Sequence, residues 1–385
     1  MTNQKSIIIL CGVTNRRLLV QSLLSTMREQ GLHIDAFDTN QWEYISPCTN
    51  SKAKKVKLNY IRRLFKIPKL TGLLHRIFDY YILRNVASAY DVVDIHFFCS
   101  KYYRLLNHLI LQKKQYKITV WGSDFYRVSD IQKSKQKYYY DNAKIIHIEI
   151  EEMRDDFLKY MPSVYNRIHL ARFGISQLQY LDKVIDCKNE TTLLSGNLYH
   201  NKLVITCGYN ASKGQQHVKI IEILKALSPD QKRKIFLLFP MTYGIQKQYL
   251  NYIEGLLGQV GIPYCVFSKH LSNEENAKLR VITDISINIQ ITDALAASLQ
   301  EHLYAGNILL AGEWLPYQIF DEHSIFYIKI SYQNMLEKLS YCIDNLDMLK
   351  EKTKANHDKI KNLSSWKTVT PSWVKIYNEL LSLQE

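Results

Sequence analysis

The sequence contains no long apolar run. A charged or polar residue interrupts every hydrophobic stretch before it approaches the roughly 18 residues that a membrane-spanning helix needs. The first apolar run, residues 7–11, is too short for the core of a signal peptide and has no small-residue cleavage site after it. We therefore expect a cytoplasmic chain that does not cross a membrane, with a buried first strand at residues 7–11.

The sequence also lacks the patterns that hold metals or disulfide frameworks. Its cysteines are odd in number, widely spread and without a Cys-x-x-Cys pair: Cys11, Cys48, Cys99, Cys187, Cys207, Cys265 and Cys342. This usage is typical of a reducing compartment and argues against structural zinc. No Asp-x-Asp pair is present either. We expect no metal site and no cofactor.

What is present is an ordinary globular composition. The chain has 385 residues, of which 46% are hydrophobic and 22% are charged. These fractions exclude global disorder and a coiled coil. A chain of this length exceeds one ordinary core, so two domains are expected.

The positive charge is concentrated in one segment. Between Ser51 and Asn85 the chain has ten basic residues, Arg62, Arg63 and Lys66 among them, and one acid, Asp79. That segment supplies +9 of the net +14. Apolar residues at helical spacing lie between the charges, which favours an amphipathic surface on an anionic membrane face. A solvated helix face is the alternative. Nucleic acid is less favoured, because no recognition motif accompanies the charge.

Strands and helices alternate along the first half of the chain. Apolar runs at 7–11, 34–37, 92–98, 117–121, 145–148 and 167–172 read as strands, with helical periodicity between most of them. Residues 176–201 are polar and irregular, which predicts a linker. We expect an amino-terminal Rossmann-like domain over residues 1–175, on the acceptor side of any reaction.

A second series of the same kind begins after the linker. Strands are expected at 203–207, 235–239, 264–267, 285–289 and 307–311, with a helix at 294–305. This alternation predicts parallel sheets covered by helices, hence an α/β chain of two facing doubly wound domains with a cleft between them. The second domain is expected over 202–365. A last helix, starting at Trp373 within 366–385, is expected to return to the first domain.

Ligands of such sheets bind beyond the carboxyl ends of the strands, so the loops there hold the candidate residues. The loop after the strand at 203–207 contains Gly208, Asn210, Lys213 and Gly214. A glycine loop that brings backbone amides and a lysine to a helix start is a plausible diphosphate site. The alternative is an ordinary strand-to-helix turn with an exposed lysine.

A second candidate pair lies on the helix predicted at 294–305. Asp293 stands at its start and Glu301 follows eight residues later. Eight helical residues advance about 12 Å, the order of the distance between the sugar and the ribose of a nucleotide sugar. Amides of the first turn, including that of Leu299, would then face the diphosphate. The alternative makes Asp293 a helix cap and Glu301 a solvent-facing residue.

These motifs together resemble a known family. The segment from Asp293 to Glu301 is similar to the Glu-x7-Glu signature of GT-B fold, family-4-type glycosyltransferases, and Ser298 lies where many of them have serine. Lys213-Gly214 resembles their Lys-Gly pair, and residues 121–124 and 172–175 resemble their turns after strands. The chain departs from the family in having Asp293 for glutamate, Tyr209 for arginine and Trp121 for histidine.

A narrower resemblance comes from two further stretches. Residues 240–244 and 312–317 are similar to those of the lipid-linked transferases that add 4-acetamido-4,6-dideoxygalactose in enterobacterial common antigen assembly. Those relatives are inverting enzymes, whereas the Asp-x7-Glu pattern mildly favours retention.

The resemblance implies a metal-independent reaction. Lys213, helix amides and Arg280 would stabilise the departing nucleoside diphosphate. In an inverting reaction a base would lie opposite the leaving group. Asp124 is the first candidate and His96 the second. Their alternatives are an Asx turn and a core histidine.

We therefore expect a bacterial-type glycosyltransferase, peripheral at the inner face of the cell membrane. Its partners would be a nucleotide-sugar donor and a lipid-linked or polysaccharide acceptor, with no nucleic acid. A sugar-nucleotide epimerase of the same fold and a noncatalytic binding protein remain alternatives.

Overall fold

A computed structural model gives the fold of residues 5–12, 17–45, 71–186, 193, 199 and 201–382. The chain divides into two compact units. The first comprises residues up to Gly174 together with those from Trp366 onwards, and the second comprises Ile175–Ser365. Each unit contains one β-sheet. The α/β class predicted from the alternating pattern is confirmed.

The first sheet has seven strands in the order β3-β2-β1-β4-β5-β6-β7. All neighbouring pairs are parallel except β2 and β3, which are antiparallel. The residues of its central strands are buried, as expected of a parallel sheet between helices. The strands are β1 (Ser6–Cys11), β2 (His33–Asp38), β3 (Glu43–Ile45), β4 (Val92–His96), β5 (Tyr116–Thr119), β6 (Ile145–Ile148) and β7 (Ile168–Leu170).

Six helices connect these strands in the described part of the unit. The helix Asp130–Asn142 begins with a capping box of Ser129 and Gln132. Its residues Tyr139 and Tyr140 are buried, as expected of a helix that packs on the sheet. The helices are α1 (Arg17–Glu29), α2 (Thr71–Ser88), α3 (Tyr103–Leu111), α4 (Ser123–Tyr126), α5 (Asp130–Asn142) and α6 (Glu151–Tyr160). Arg62, Arg63 and Lys66 lie outside the described residues.

The second sheet has six strands in the order β10-β9-β8-β11-β12-β13, all parallel. Its main hydrophobic core includes Ile205, Leu237 and Ile287, none of which is more than 1% exposed. The strands are β8 (Leu203–Cys207), β9 (Ile235–Pro240), β10 (Tyr264–Phe267), β11 (Ile285–Asn288), β12 (Ile308–Gly312) and β13 (Ile328–Ile330).

The helices of the second unit include two that begin with a capping box, at Ser228 and at Ser272. None of the helices within the described ranges combines the length and the hydropathy that a bilayer crossing requires. The helices are α7 (Leu178–Leu181), α8 (His217–Ala226), α9 (Pro229–Lys234), α10 (Lys247–Leu257), α11 (Asn273–Ile282), α12 (Ala297–Tyr304), α13 (Gln318–Glu322), α14 (Met335–Asp344), α15 (Leu346–Thr353) and α16 (Asn356–Ser364).

Several local expectations need correction. The strand expected at 167–172 is limited to Ile168–Leu170, because the 3₁₀ turn Pro162–Arg167 ends only there. Part of the expected linker is structured, since α7 packs against α11 and Gln177 Nε2 donates to the carbonyl of Asn273 at 2.5 Å. The helix expected at 294–305 begins only at Ala297.

The last helix, α17 (Trp366–Ser382), belongs to the first unit. It begins seven residues before the expected Trp373 and includes Pro371, although proline has no amide hydrogen to donate. Trp373 is fully buried, and its Nε1 donates to the carbonyl of Arg172 at 2.8 Å. Gly174 lies against Trp366, where an added Cβ would come within 2.3 Å of the indole. The glycine therefore makes room for the start of α17.

Asp94 is the centre of a buried polar cluster that includes α17. Its carboxylate accepts hydrogen bonds from Lys117 Nζ at 2.6 Å, Thr119 Oγ1 at 2.9 Å and Tyr377 Oη at 2.8 Å. His96 Nε2 lies 3.0 Å away. All five side chains are fully buried. Burial alone would raise the pKa of Asp94, but the charge of Lys117 holds that pKa well below its ordinary value.

Replacing Asp94→Ala should destabilise the first unit by about 3–5 kcal/mol, because it leaves the buried ammonium of Lys117 without its counter-charge. The measurement is urea-dependent hydrogen exchange of peptides from β4 and β5. Asp155→Ala, at an exposed ion pair, is the control and should change stability by about 1 kcal/mol or less. The double replacement Asp94→Leu with Lys117→Met should cost less than Asp94→Ala. An equal or greater cost would contradict this explanation.

Candidate active site

The order of the second sheet determines where its ligand-binding edge lies. The chain runs from β8 to β9 and β10 on one side, and then to β11, β12 and β13 on the other. The switch point is therefore between β8 and β11, and ligands of open α/β sheets bind beside the loops that follow the strands at this point. Those loops cover residues 208–216 and 289–296, which include five of the residues predicted from the sequence: Gly208, Asn210, Lys213, Gly214 and Asp293.

The loop after β8 starts with a turn that requires glycine. Gly208 has φ +66°, and an added Cβ would lie 3.0 Å from Gln215 Oε1 and 3.1 Å from His217 Nε2. Gln215 is buried, and its Oε1 accepts a hydrogen bond from the amide of Tyr209 at 3.1 Å. Gly208 thus permits the side chain of Gln215 to close the turn.

The middle of the same loop is held by short polar side chains. Asn210 is buried, and its Oδ1 accepts from the amide of Ser212 at 2.8 Å, which is an Asx turn. Ser212 Oγ accepts in turn from the amide of Gly214 at 3.3 Å. The predicted donor-binding residues Asn210 and Gly214 therefore shape the loop in this structure. A 3₁₀ turn, Lys213–Gln215, precedes α8.

Lys213 is the exposed cation of this loop. Its side chain is exposed, and its Nζ lies 5.8 Å from the ring centroid of Tyr249. The carbonyl of the adjacent Gly214 accepts a hydrogen bond from the amide of Ile291 at 2.9 Å. Gln216 Nε2 also donates to the carbonyl of Ile289. These bonds connect the two loops of the switch point directly.

Asp293 lies in the second loop, before the helix begins. Its Oδ2 accepts a hydrogen bond from the amide of Ala296 at 2.9 Å and another from the hydroxyl of Tyr317. Leu295 has φ +64°, so the backbone cannot be helical there. Asp293 and Glu301 are consequently not two turns apart on one helix, and the 12 Å estimate does not apply. Burial raises the pKa of Asp293, although the bond from Tyr317 opposes that shift.

The amides in front of α12 are only partly free for an anion. The amide of Ala296 is used by Asp293, and that of Leu299 donates to the carbonyl of Ala296 at 3.2 Å. In this structure the amide of Leu299 is thus used within the first turn, and a contact between Leu299 and a diphosphate stays a prediction. Ala297 and Ser298 occupy the first two helical positions, where amides have no intrahelical acceptor.

Arg280, Ser298 and Glu301 come together in one cluster. Arg280 Nε and Nη2 both lie 3.0 Å from Glu301 Oε2, and Nη2 donates to Ser298 Oγ at 2.9 Å. The guanidinium side chain is 6% exposed and that of Glu301 12%. Arg280 Nη1 is buried and has no hydrogen-bond partner in the described part of the chain. The sequence placed all three residues in the donor site, but gave no sign of this ion pair.

The two candidate bases lie in the first unit and are occupied by internal contacts. Asp124 accepts hydrogen bonds from the amides of Phe98 at 2.9 Å and Trp121 at 2.8 Å, both of which precede it in the chain, so these bonds are not those of an Asx turn. His96 is fully buried beside Asp94, and burial lowers its pKa. A base must come within hydrogen-bond reach of the acceptor hydroxyl. His96 cannot do so in this conformation, because it is a core residue.

The described residues offer no metal site, since no three His, Cys, Asp or Glu side chains among them lie close enough to share an ion. They do include site residues that the sequence analysis missed. Gln290 Nε2 donates to Tyr317 Oη at 2.8 Å, and Tyr317 contacts Asp293. Gln215, Gln216 and Gln290 belong to no motif, and Tyr317 lies in the stretch 312–317 without having been assigned a role. Only their position just after strands could have suggested them.

Solved structures with this architecture are glycosyltransferases and related proteins. A glycosyltransferase from Rickettsia africae ESF-5 has a TM-score of 0.70 at 14% identity, over 98% of this chain and 99% of its own. Sucrose-phosphate synthase from Thermosynechococcus elongatus has 0.71 at 11% identity, over 99% and 100%. HepE from Anabaena, in complex with UDP and glucose, has 0.69 at 8% identity, over 97% and 100%. The chain has the GT-B fold.

At these identities the likeness extends to the GT-B fold alone. No protein-family model matches the chain, and no curated protein matches it. The resemblances to family-4-type enzymes and to the enterobacterial common antigen transferases therefore stay predictions.

His217, at the start of α8, makes the second unit sensitive to acid. Burial lowers its pKa to about 4, whereas an unfolded histidine titrates near 6.5. Between these values only the unfolded chain binds the proton, so stability is complete above pH 6.5 and falls as the pH decreases towards 4. From pH 7.5 to pH 5 this group should remove about 2 kcal/mol.

The check is urea-dependent hydrogen exchange of β8 peptides at pH 7.5 and pH 5, corrected for the intrinsic exchange rate. His217→Asn should reduce the loss of stability between the two pH values, while His270→Asn, at an exposed position, should leave it unchanged. The same loss in wild type and His217→Asn would contradict the assignment.

Proposed function

We propose that this chain is a glycosyltransferase that binds a nucleotide-sugar donor at the carboxyl edge of its second sheet. The observation that carries the proposal is the direct connection of the Lys213-Gly214 turn to the Asp293 loop at the switch point of a GT-B fold. A cation, backbone amides and a carboxylate are thereby collected where α/β sheets bind nucleotides. The complexes of HepE with UDP and with UDP-glucose make UDP the first diphosphate to test.

The diphosphate would lie between Lys213 and the start of α12. The exposed ammonium of Lys213 and the first-turn amides of Ala297 and Ser298 supply positive potential at that edge. The backbone amides are held by the loop and helix before the donor arrives, and together with Lys213 they would stabilise the charge that develops on the leaving diphosphate. We propose that no metal ion is needed for this role.

The ribose would lie against Glu301. The hydrogen bond from Arg280 Nε and the ion-pair contact of its Nη2 both involve Oε2, so within the described contacts Oε1 is left to accept from a ribose hydroxyl. Arg280 would then orient the carboxylate, and Ser298 would orient Arg280. Asp293 would accept from a hydroxyl of the transferred sugar, because it is the carboxylate of the neighbouring loop.

The stereochemical course follows from which group takes the acceptor proton. In a retaining reaction the departing phosphate can take that proton on the same face of the sugar, which needs no protein base. The internal contacts of Asp124 and His96 favour this course. An inverting reaction would require Asp124 to give up its two backbone amides first.

A thermal-shift screen of UDP, dTDP, GDP, CDP and ADP tests donor binding. We expect one diphosphate to raise the melting temperature. Lys213→Ala and Glu301→Gln should each weaken its affinity about tenfold to a hundredfold, since each removes a charged hydrogen bond. Lys234→Ala, an exposed lysine at the opposite edge of the sheet, is the control. Unchanged affinity in Glu301→Gln would exclude the ribose role, and no shift with any diphosphate would contradict the function.

The acceptor is proposed to be lipid-linked, because the basic segment at 51–85 would hold the protein on an anionic membrane face. Flotation with vesicles of phosphatidylglycerol and phosphatidylethanolamine should recover the wild-type protein. Replacing Arg62, Arg63 and Lys66 by glutamate should abolish recovery. The same charge change at Lys135, Lys137 and Lys144, which are exposed, should leave recovery high. Equal recovery of both triple variants would contradict a membrane role for the segment and favour a soluble acceptor or an epimerase.

A binding protein without transferase activity is the second candidate. It is favoured by the internal contacts of Asp124 and His96, which leave no free base among the predicted ones. Donor hydrolysis by purified protein distinguishes the two functions, because a binding protein would shift in the thermal screen without releasing sugar.

A further inference from the structure

Two exposed aromatic rings form a pair at the carboxyl edge of the second sheet. Trp314 follows β12 and Tyr332 follows β13, with ring centroids 4.5 Å apart and planes tilted by 30°. Trp314 is 36% exposed and Tyr332 40%. Trp314 is the one tryptophan of the second unit. Large apolar faces are normally buried, so an exposed pair beside a binding edge points to a ligand.

Each ring is tied to a different loop of the switch point. Trp314 Nε1 donates to the carbonyl of Gln290 at 2.9 Å. The hydroxyl of Tyr332 lies 2.8 Å from Nε2 and 3.0 Å from Oε1 of Gln216. The hydrogen bonds of Trp314 Nε1 and Tyr332 Oη hold each ring at its edge. Part of the surface of each ring therefore remains exposed.

The backbone and a lysine complete the support of the pair. An added Cβ at Gly312 would lie 2.6 Å from Trp314 Cζ2, so the indole rests directly on backbone that has no side chain. Lys219 Nζ lies 3.6 Å from the ring centroid of Tyr332, a cation–π contact that covers part of this ring. The rings are therefore held in one orientation before any ligand binds.

Buried hydrogen-bonding groups lie next to the pair. Gln290, whose carbonyl holds Trp314, is 2% exposed, and its Oε1 has no hydrogen-bond partner in the described part of the chain. Its Nε2 contacts Tyr317, which contacts Asp293. A buried amide oxygen without a partner is costly unless a donor reaches it at some stage. A hydroxyl group of a ligand is such a donor.

We propose that Trp314, with Tyr332 stacked against it, is a stacking platform for the pyranose ring of the donor, with Gln290 Oε1 and Asp293 as acceptors for its hydroxyls. This inference rests on the proposed function and names the sugar-binding part of the same site. A pyranose offers an apolar face of C–H groups to the negative face of an aromatic ring, and hydroxyls at its rim. An aromatic ring bordered by hydrogen-bond acceptors matches the C–H face and the hydroxyls of a pyranose. A nucleobase could stack on the ring without using the acceptors.

Isothermal titration separates the sugar from the nucleotide. UDP-glucose is compared with UDP, dTDP-glucose with dTDP and GDP-mannose with GDP, in wild type and variants. For the preferred pair, Trp314→Ala should weaken the nucleotide sugar about tenfold and leave the free diphosphate within about twofold. Trp314→Phe should retain most of the affinity for the sugar. Gly312→Ala should reproduce the loss, because the added methyl displaces the indole without removing it.

Tyr341→Ala, at an exposed tyrosine of α14, is the matched control, and circular dichroism with the melting temperature reports folding of every variant. Equal weakening of the diphosphate and the nucleotide sugar would mean that the rings stack on the base, which overturns the proposal. So would unchanged affinity for the nucleotide sugar in both Trp314→Ala and Gly312→Ala. If no nucleotide or nucleotide sugar binds the wild type, the proposed function fails, and the platform fails with it.

Discussion

The candidate site depends on one constraint of chain topology. β8 and β11 are parallel neighbours, yet the connections that follow them diverge to opposite sides of the sheet. The position at which a ligand can bind follows from the strand order, and the loops contribute only the groups found there. Residues 208–216 and 289–296 therefore lie next to each other whatever their sequences are, as long as β8 and β11 remain adjacent.

Polar side chains help to hold these loops in one conformation. Gln215, Ser212 and Asn210 bond to backbone amides within the first loop, and Asp293 does the same in the second. A loop fixed in this way presents its remaining amides and charges in defined directions before a ligand arrives. Such preorganisation is what electrostatic stabilisation of a leaving group requires. This arrangement also buries polar groups such as Arg280 Nη1, which has no hydrogen-bond partner in the described part of the chain. Such a buried group lowers the stability of the fold.

Much of this fold could be predicted from local sequence, and the site only in part. Apolar runs placed β8, β9 and β11 within a residue or two, because buried parallel strands are continuous and hydrophobic. The predicted start of α12 was wrong because Asp293 caps a turn in which Leu295 has a positive φ. Hydrophobic spacing does not reveal such a turn. The pair Arg280 and Glu301 is 21 residues apart in sequence, so no local pattern could indicate it. For His96 the core alternative fits the structure, since its ring stacks on that of Trp373 from the last helix, a contact that no local pattern could indicate.

The bond between Tyr377 and Asp94 has a consequence for how the protein is made. A ribosome delivers the chain from its amino end, and domains usually fold in that order. Here the amino-terminal sheet lacks one of its covering helices until residues 366–382 emerge, whereas all of 175–365 has emerged by then. The second unit can therefore finish folding before the first. Until residues 366–382 emerge, the ammonium of Lys117 and the apolar surface that Trp373 later covers lack their covering helix. Both are then exposed to water or to a chaperone.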